Sequence, residues 1–282
     1  MDWIVDPFEL AFQQRALIGG VLAGVLTSVV GAWVVIRGMS FMGDAVAHGV
    51  IPGVAIAILL GVNPVWGALL AGIVMIWGIN LVHQHTKLSS DVGIGLLFVG
   101  MLALGVVVIS LTPTFSGSIA AILFGDLLGV TWDVIWLEAI GLVVALALSY
   151  VMYRPFLALA FNADKAEMMG FRPQVAHFAL LALITGAVVL LFQGVGAILV
   201  FGLLVGPPAT AIILVRRVVL VMVVSGICAI FAVVAGLLIS YHYSTAASAT
   251  IVLISVVVFF LVLTGSRVRN ALMSKPPLSA EA

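Results

Sequence analysis

Only one cysteine, Cys228, occurs in 282 residues, which excludes an internal disulfide and a multi-cysteine metal site. Charge is scarce too. Charged residues make up 8% of the chain, against about 25% in an ordinary soluble protein. Hydrophobic residues make up 64%, so most of the outer surface must face lipid rather than water. Acidic and basic residues balance at 11 each, which removes the electrostatic footprint of a nucleic-acid binder. The only lysines, Lys87, Lys165 and Lys275, follow Thr86, Asp164 and Ser274, so the glycine-rich phosphate loop ending in Gly-Lys-Ser/Thr is missing. A zinc-protease helix signature is missing as well, because His83 and His85 lie two apart and face different ways. GVGAIL at 194–199 is too short for a dinucleotide fingerprint. No cleavable leader is expected, since Asp2, Asp6 and Glu9 stand where a leader is basic. An intramembrane enzyme is disfavoured; transport or a passive channel remains.

What the chain has is length of apolar run. About 20 predominantly apolar residues span a bilayer as a helix. Such runs fall at 17–36, 45–61, 65–82, 92–111, 133–152, 175–193, 196–215, 218–240 and 246–265. The runs are continuous rather than alternating, which argues against a β-barrel. The expected fold is all-α, a single polytopic domain over 1–282 with eight or nine transmembrane helices. Arg15 stands in an expected N-terminal interfacial segment, 1–16. Every other basic residue falls on one side when the N-terminus is outside and the C-terminus, with a tail at 267–282, is cytoplasmic. The long outer connection 112–133 is expected to rest as a short helix in the interface.

GMSFMGDAVAHGVIPG at 38–53 sets Asp44 and His48 four residues apart at the start of the second run, so both project from one helix face. An ionised Asp within a bilayer costs about 2.5–3.5 kcal/mol on insertion scales. A divalent cation would offset that, as carboxylate and imidazole are ordinary ligands for manganese, iron and zinc. The same spacing also suits Asp44 as an N-cap with His48 bonded to a neighbour. Pro52 frees a backbone carbonyl nearby. Pro207 and Pro208 interrupt a later run, and read either as a termination or as the bend of a gate. FNADKAEMMGFRP at 161–173 reads either as a plain loop or as a short cytoplasmic helix stopped at Gly170, a lever pressed by a partner protein. His177 and His242 are lone candidates, the latter at the outer entrance.

In their order these segments resemble the permease subunits of bacterial ABC importers for zinc, manganese and iron. Residues 34–61, VVIRGMSFMGDAVAHGVIPGVAIAILLG, follow that family's Arg-x-Met-Ser-Leu-x-Gly-Asp-Ala-x-x-His-x-x-x-Pro-Gly-Val. LSSDVGIGLLF (88–98), ILFGDLLGVTWDV (122–134), NADKAEMMGF and GVGAILVFGLLVGPPATA (194–211) are further matches. The resemblance implies a fold similar to the cobalamin and siderophore permeases, and a homodimeric pore in the bacterial inner membrane. It implies a pair of cytoplasmic ATPase subunits that carry the hydrolysis, and an extracytoplasmic metal-binding protein. No cofactor is permanently bound; zinc, manganese or iron is cargo. Asp44 and His48 match the family's metal-passage pair, with His242 a weaker candidate. Asp164, Glu167 and Gly170 match its coupling helix. A permease for metal chelates and a stand-alone channel or carrier are the rivals.

Overall fold

The computed structural model describes residues 6–85, 90–110, 125 and 127–273. Lys87, residues 112–124 of the outer connection and the tail beyond Met273 lie outside that set, as do the side chains of His83, His85, Asp164 and Lys165.

Long apolar runs must satisfy every backbone amide and carbonyl within themselves, and the helix does this. Among the described residues the chain is helical, with no strand. The first helices are α1 (Ala11–Ile36), α2 (Ser40–Gly49), α3 (Ile51–Leu59), α4 (Pro64–His85) and α5 (Ser90–Ser110). After the outer connection come α6 (Trp132–Val151), α7 (Tyr153–Phe161) and α8 (Ala163–Met168). The series ends with α9 (Pro173–Val195), α10 (Ala197–Leu214), α11 (Val218–Tyr243) and α12 (Ala247–Met273). Among the described residues, nine stretches are long and apolar enough to cross a membrane, α2 and α3 together making one of them (Ser40–Leu59). Each overlaps one of the nine runs read from the sequence.

α1 is apolar on every side and so belongs in the middle. It packs against α6, α9, α10 and α11. Short 3-10 turns at Asp6–Glu9 and Leu127–Gly129 close one end of it. Arg15 lies in the second turn of α1, not in a separate interfacial helix.

The second crossing begins five residues earlier than its apolar run suggests. At the end of α1, Gly38 takes φ +67. Its N–H donates to the Val35 carbonyl at 3.0 Å and that of Met39 to Val34 at 2.9 Å. This is the paired-bond stop that a left-handed glycine permits. The chain is therefore free to start α2 at Ser40, and Asp44 is one turn inside it.

Two interruptions differ in kind. α2 breaks from α3 at Val50, and Pro52 has no N–H to give the His48 carbonyl. By contrast α10 runs through Pro207 and Pro208 to Leu214, so these prolines do not terminate it. They only remove the donors for Leu203 and Leu204, whose helix closes around the gap.

Contacts divide the bundle into two ends. Arg37, α7 and α8 gather at one, with Arg154 and Arg172 nearby in sequence and Arg216 and Arg217 between α10 and α11. Asp6–Glu9, Leu127–Gly129, Gly196 and Ser244 lie at the other.

Candidate functional site

Phe41, Asp44 and His48 follow one another at i, i+3 and i+7, so they form a stripe along α2. The opposite flank of α2 is held by the rest of the chain. A methyl built on Gly43 would overlap the Leu204 side chain of α10, and one on Gly49 would stand 3.3 Å from the Met75 sulfur of α4. The stripe itself is left open. Phe41 is 69% exposed, while the side chains of Asp44 and His48 are 29% and 23% exposed. Burial thus deepens along the stripe from the basic end into the span.

His48 Nε2 lies 3.4 Å from Asp44 Oδ1. Its ring meets Phe98 of α5 edge-on, with centroids 5.8 Å apart at 63°. Its Nδ1 is buried and has no hydrogen-bond partner. Asp44 is not an N-cap: Met39 occupies that position and makes no side-chain bond. The pair therefore offers one carboxylate and one imidazole to whatever enters the open side. These are nitrogen and oxygen donors suited to first-row divalent cations. Among the described residues no third His, Cys, Asp or Glu joins them. One chain by itself brings two such donor side chains together.

The site's depth follows from the helix start. Asp44 sits about 6 Å and His48 about 12 Å along α2 at 1.5 Å per residue. Both are in the half of the crossing that adjoins the basic end. Beyond them, Pro52 packs against α5, its Cδ 3.4 Å from where a Gly105 Cβ would be. Pro207 and Pro208 are buried on α10.

Glu167 and Gly170 lie at the basic end. α8 stops as its sequence suggests: Gly170 takes φ +82, and Phe171 N–H donates to Ala166 O at 3.1 Å. Glu167 is exposed, and beside it Met168 and Met169 are 88% and 68% exposed. A mechanical link ties this element to α1. The Arg37 guanidinium donates to the Leu159 carbonyl of α7. Trp33 of α1 packs edge-on against Tyr153 and Phe156 of α7, with centroids 5.6 and 5.4 Å away.

Neither of the other histidines whose side chains are described joins the pair. His177 begins α9 at the basic end. His242, on the last turn of α11, is at the opposite end of the bundle and stacks edge-on with Tyr241. One ionisable residue that no motif marks is Glu138, wholly buried in α6. Its signal was present in the sequence as an acid well inside an apolar run, past Asp133 at its start.

Comparison with known proteins bears on the chain as a whole. The sequence profile described as the ABC 3 transport family matches residues 9–266. The manganese transport system membrane protein MntC of Listeria monocytogenes is 34% identical over 275 residues, covering 98% of each chain. The chelated iron transport system membrane protein YfeD of Yersinia pestis is 30% identical, covering 94% of this chain and 89% of its own. Among solved structures, PsaBC from Streptococcus pneumoniae in complex with Fab superposes with a TM-score of 0.82 at 31% identity. That match covers 92% of this chain and 94% of the other.

Proposed function

Because the chain belongs to the ABC 3 transport family, we propose that it forms the membrane-spanning subunit of an ATP-driven importer of divalent transition-metal ions. The observation that carries this reading is the Asp44–His48 pair, half-open on an otherwise apolar crossing, with one imidazole nitrogen left unpartnered. The names of the Listeria and Yersinia relatives support manganese first and iron second. Zinc fits the same donors and leads manganese and iron in the usual affinity order, so selection against it falls to the protein that delivers the ion.

Two copies of the chain face each other across the open stripe. A two-fold axis there doubles two ligands to four, enough for a transient divalent site. The site must also let its ion go, and a set without thiolates suits passage better than storage. A metal-binding protein outside the cell delivers the ion to the end that carries Leu127–Gly129. A pair of ATPase subunits sits at the basic end, which by the excess of arginine is cytoplasmic, with the N-terminus outside. Those subunits hydrolyse ATP; this chain does not.

The ATPase grips α8, where exposed Met168 and Met169 flank Glu167. Movement of α8 passes to α7, and from α7 through Arg37 and Trp33 to the turn at Gly38. That turn leads straight into α2 and the metal pair. Alternating access then follows from tilting α2 against α10, with Pro52, Pro207 and Pro208 as the places where the helices give.

A stand-alone channel would have no use for α8. ATP-dependent uptake of radioactive manganese into proteoliposomes containing the chain and its ATPase separates the readings. Exchange of Glu167 for Ala should abolish ATP-dependent uptake while leaving membrane insertion normal. Unaltered uptake would favour the channel. A permease for metal chelates would take up the chelate and not the bare ion.

A further inference from the structure

Glu138 lies two turns into α6 from its Trp132 end and is 0% exposed. Neither carboxyl oxygen has a hydrogen-bond partner. Its berth is built for it. A Cβ on Gly194 of α9 would stand 2.8 Å from Oε1, and one on Gly19 of α1 would stand 3.5 Å from Oε2. The carboxyl group therefore fills the space that two missing side chains leave. Around it are Val130, Val134 and Ile135, all apolar.

The charged groups near this berth are few. On α1, Arg15 is one turn before Gly19 on the same face, half-buried, and makes no ion pair with Glu138. On α6 itself, Asp133 is in the first turn and carries the same sign as Glu138 would. α9 and the 127–130 segment bring no titratable side chain to it among the described residues. Asp126 lies outside the described set. An ionised carboxylate taken from water without a partner is strongly disfavoured. It would be held among apolar atoms with no donor to compensate.

We propose that Glu138 is a proton-binding site at the seam of α1, α6 and α9, occupied in this packed arrangement and emptied when the seam opens. A neutral carboxyl can lie against apolar walls at far lower cost, and two glycines give it room without strain. Once α6 parts from α1 and α9, water reaches the group and the proton leaves. The packed form then holds one more proton than the opened or unfolded chain. Its stability falls as pH rises, by about tenfold in the equilibrium for each pH unit across the range where only one form keeps the proton. This proposal does not depend on which ion, if any, the chain transports.

Infrared spectra of the full chain in lipid, taken as wild type minus Glu138→Gln at neutral pH, test it. The expected difference is the carbonyl stretch of a protonated carboxyl in the wild type, shifted in heavy water and missing from the variant. Glu138→Gln should melt at or above the wild-type midpoint at neutral pH and should lose the pH dependence, since glutamine copies the shape of the protonated acid but has no proton to release. Carboxylate bands in the wild type would overturn the proposal and make Glu138 the counter-ion of Arg15. A carboxyl band that disappears when sodium chloride replaces choline chloride would overturn it in favour of a monovalent-cation site. Should Glu138→Gln fail to insert, Arg15→Gln decides. The proposal expects no change in the carboxyl bands, and conversion of a carboxylate band to a protonated one contradicts it.

Discussion

At Gly31 the backbone of α1 comes close against α10, and adding one methyl group there should loosen the centre of the bundle. A Cβ on Gly31 would overlap the Leu204 carbonyl oxygen and stand 2.9 Å from Pro208 Cγ, where ordinary contact begins at 3.4 Å. The reason for the closeness is chemical. Pro208 has no N–H, so the Leu204 carbonyl loses its usual donor and lies instead against the bare Cα of the glycine. Neither obstacle is a flexible side-chain tip, so the helices themselves must part. A gap of 0.5–1 Å forfeits about a quarter to a half of each dispersion contact along the seam. Overpacking of this kind costs about 1–3 kcal/mol. At about 2–4 °C per kcal/mol for a large chain, Gly31→Ala should lower the apparent thermal midpoint by about 2–12 °C. Tryptophan fluorescence of the detergent-solubilised protein reads this directly, as the chain has six tryptophans. Gly186→Ala is the matched control, because nothing lies within 4 Å of its Cβ position. Alanine there should be neutral or stabilising by up to about 1 kcal/mol. Equal midpoints for Gly31→Ala and wild type would refute the close crossing, as would equal losses in both variants.

Gly170→Ala forces a side chain into a left-handed position at φ +82, which costs about 1–2 kcal/mol. Insertion should stay normal while ATP-dependent manganese uptake falls, checked by immunoblot and uptake on the same membranes. Arg37→Ala removes the guanidinium that holds the Leu159 carbonyl, a charged hydrogen bond worth about 1.5–3 kcal/mol. The ATPase should still bind, but its hydrolysis should no longer drive uptake, seen as turnover without transport. Gly194→Ala crowds Glu138 Oε1 and the Val134 side chain at 2.8 Å each, so it should lower the thermal midpoint more than Gly186→Ala does.

The crossings were legible because an apolar run long enough to span lipid admits little except a helix. What composition could not convey was where helices stop. The start of the second crossing is governed by Gly38, whose left-handed turn ends α1 and frees α2 to begin at Ser40. Asp44, a good capping residue on paper, drew the expected start toward itself and away from that glycine. Gly170 was readable because the same turn closes a short polar helix, where no competing signal surrounds it. The adjacent prolines at 207 and 208 suggested an ending, yet α10 passes through them, because the tightly packed α1 and α12 hold its two halves in line. Asp44 and His48 were legible as a pair by their spacing alone. Their openness to one side was not, since it depends on α4, α5, α9 and α10 covering every other face of α2. Glu138 belongs to neither case: its glycine neighbours are on α1 and α9, more than fifty residues away in sequence on the nearer side, and only folding brings them to it.

The central claim is that metal passes between Asp44 and His48 of facing copies. Initial rates of radioactive manganese uptake by Asp44→Ala and His48→Ala, in cells carrying the ATPase and the metal-binding protein, test it most directly. With wild-type amounts of each variant in the membrane, both rates should fall at least about tenfold, equivalent to about 1.4 kcal/mol of lost ion binding. Wild-type uptake by both variants would contradict the account.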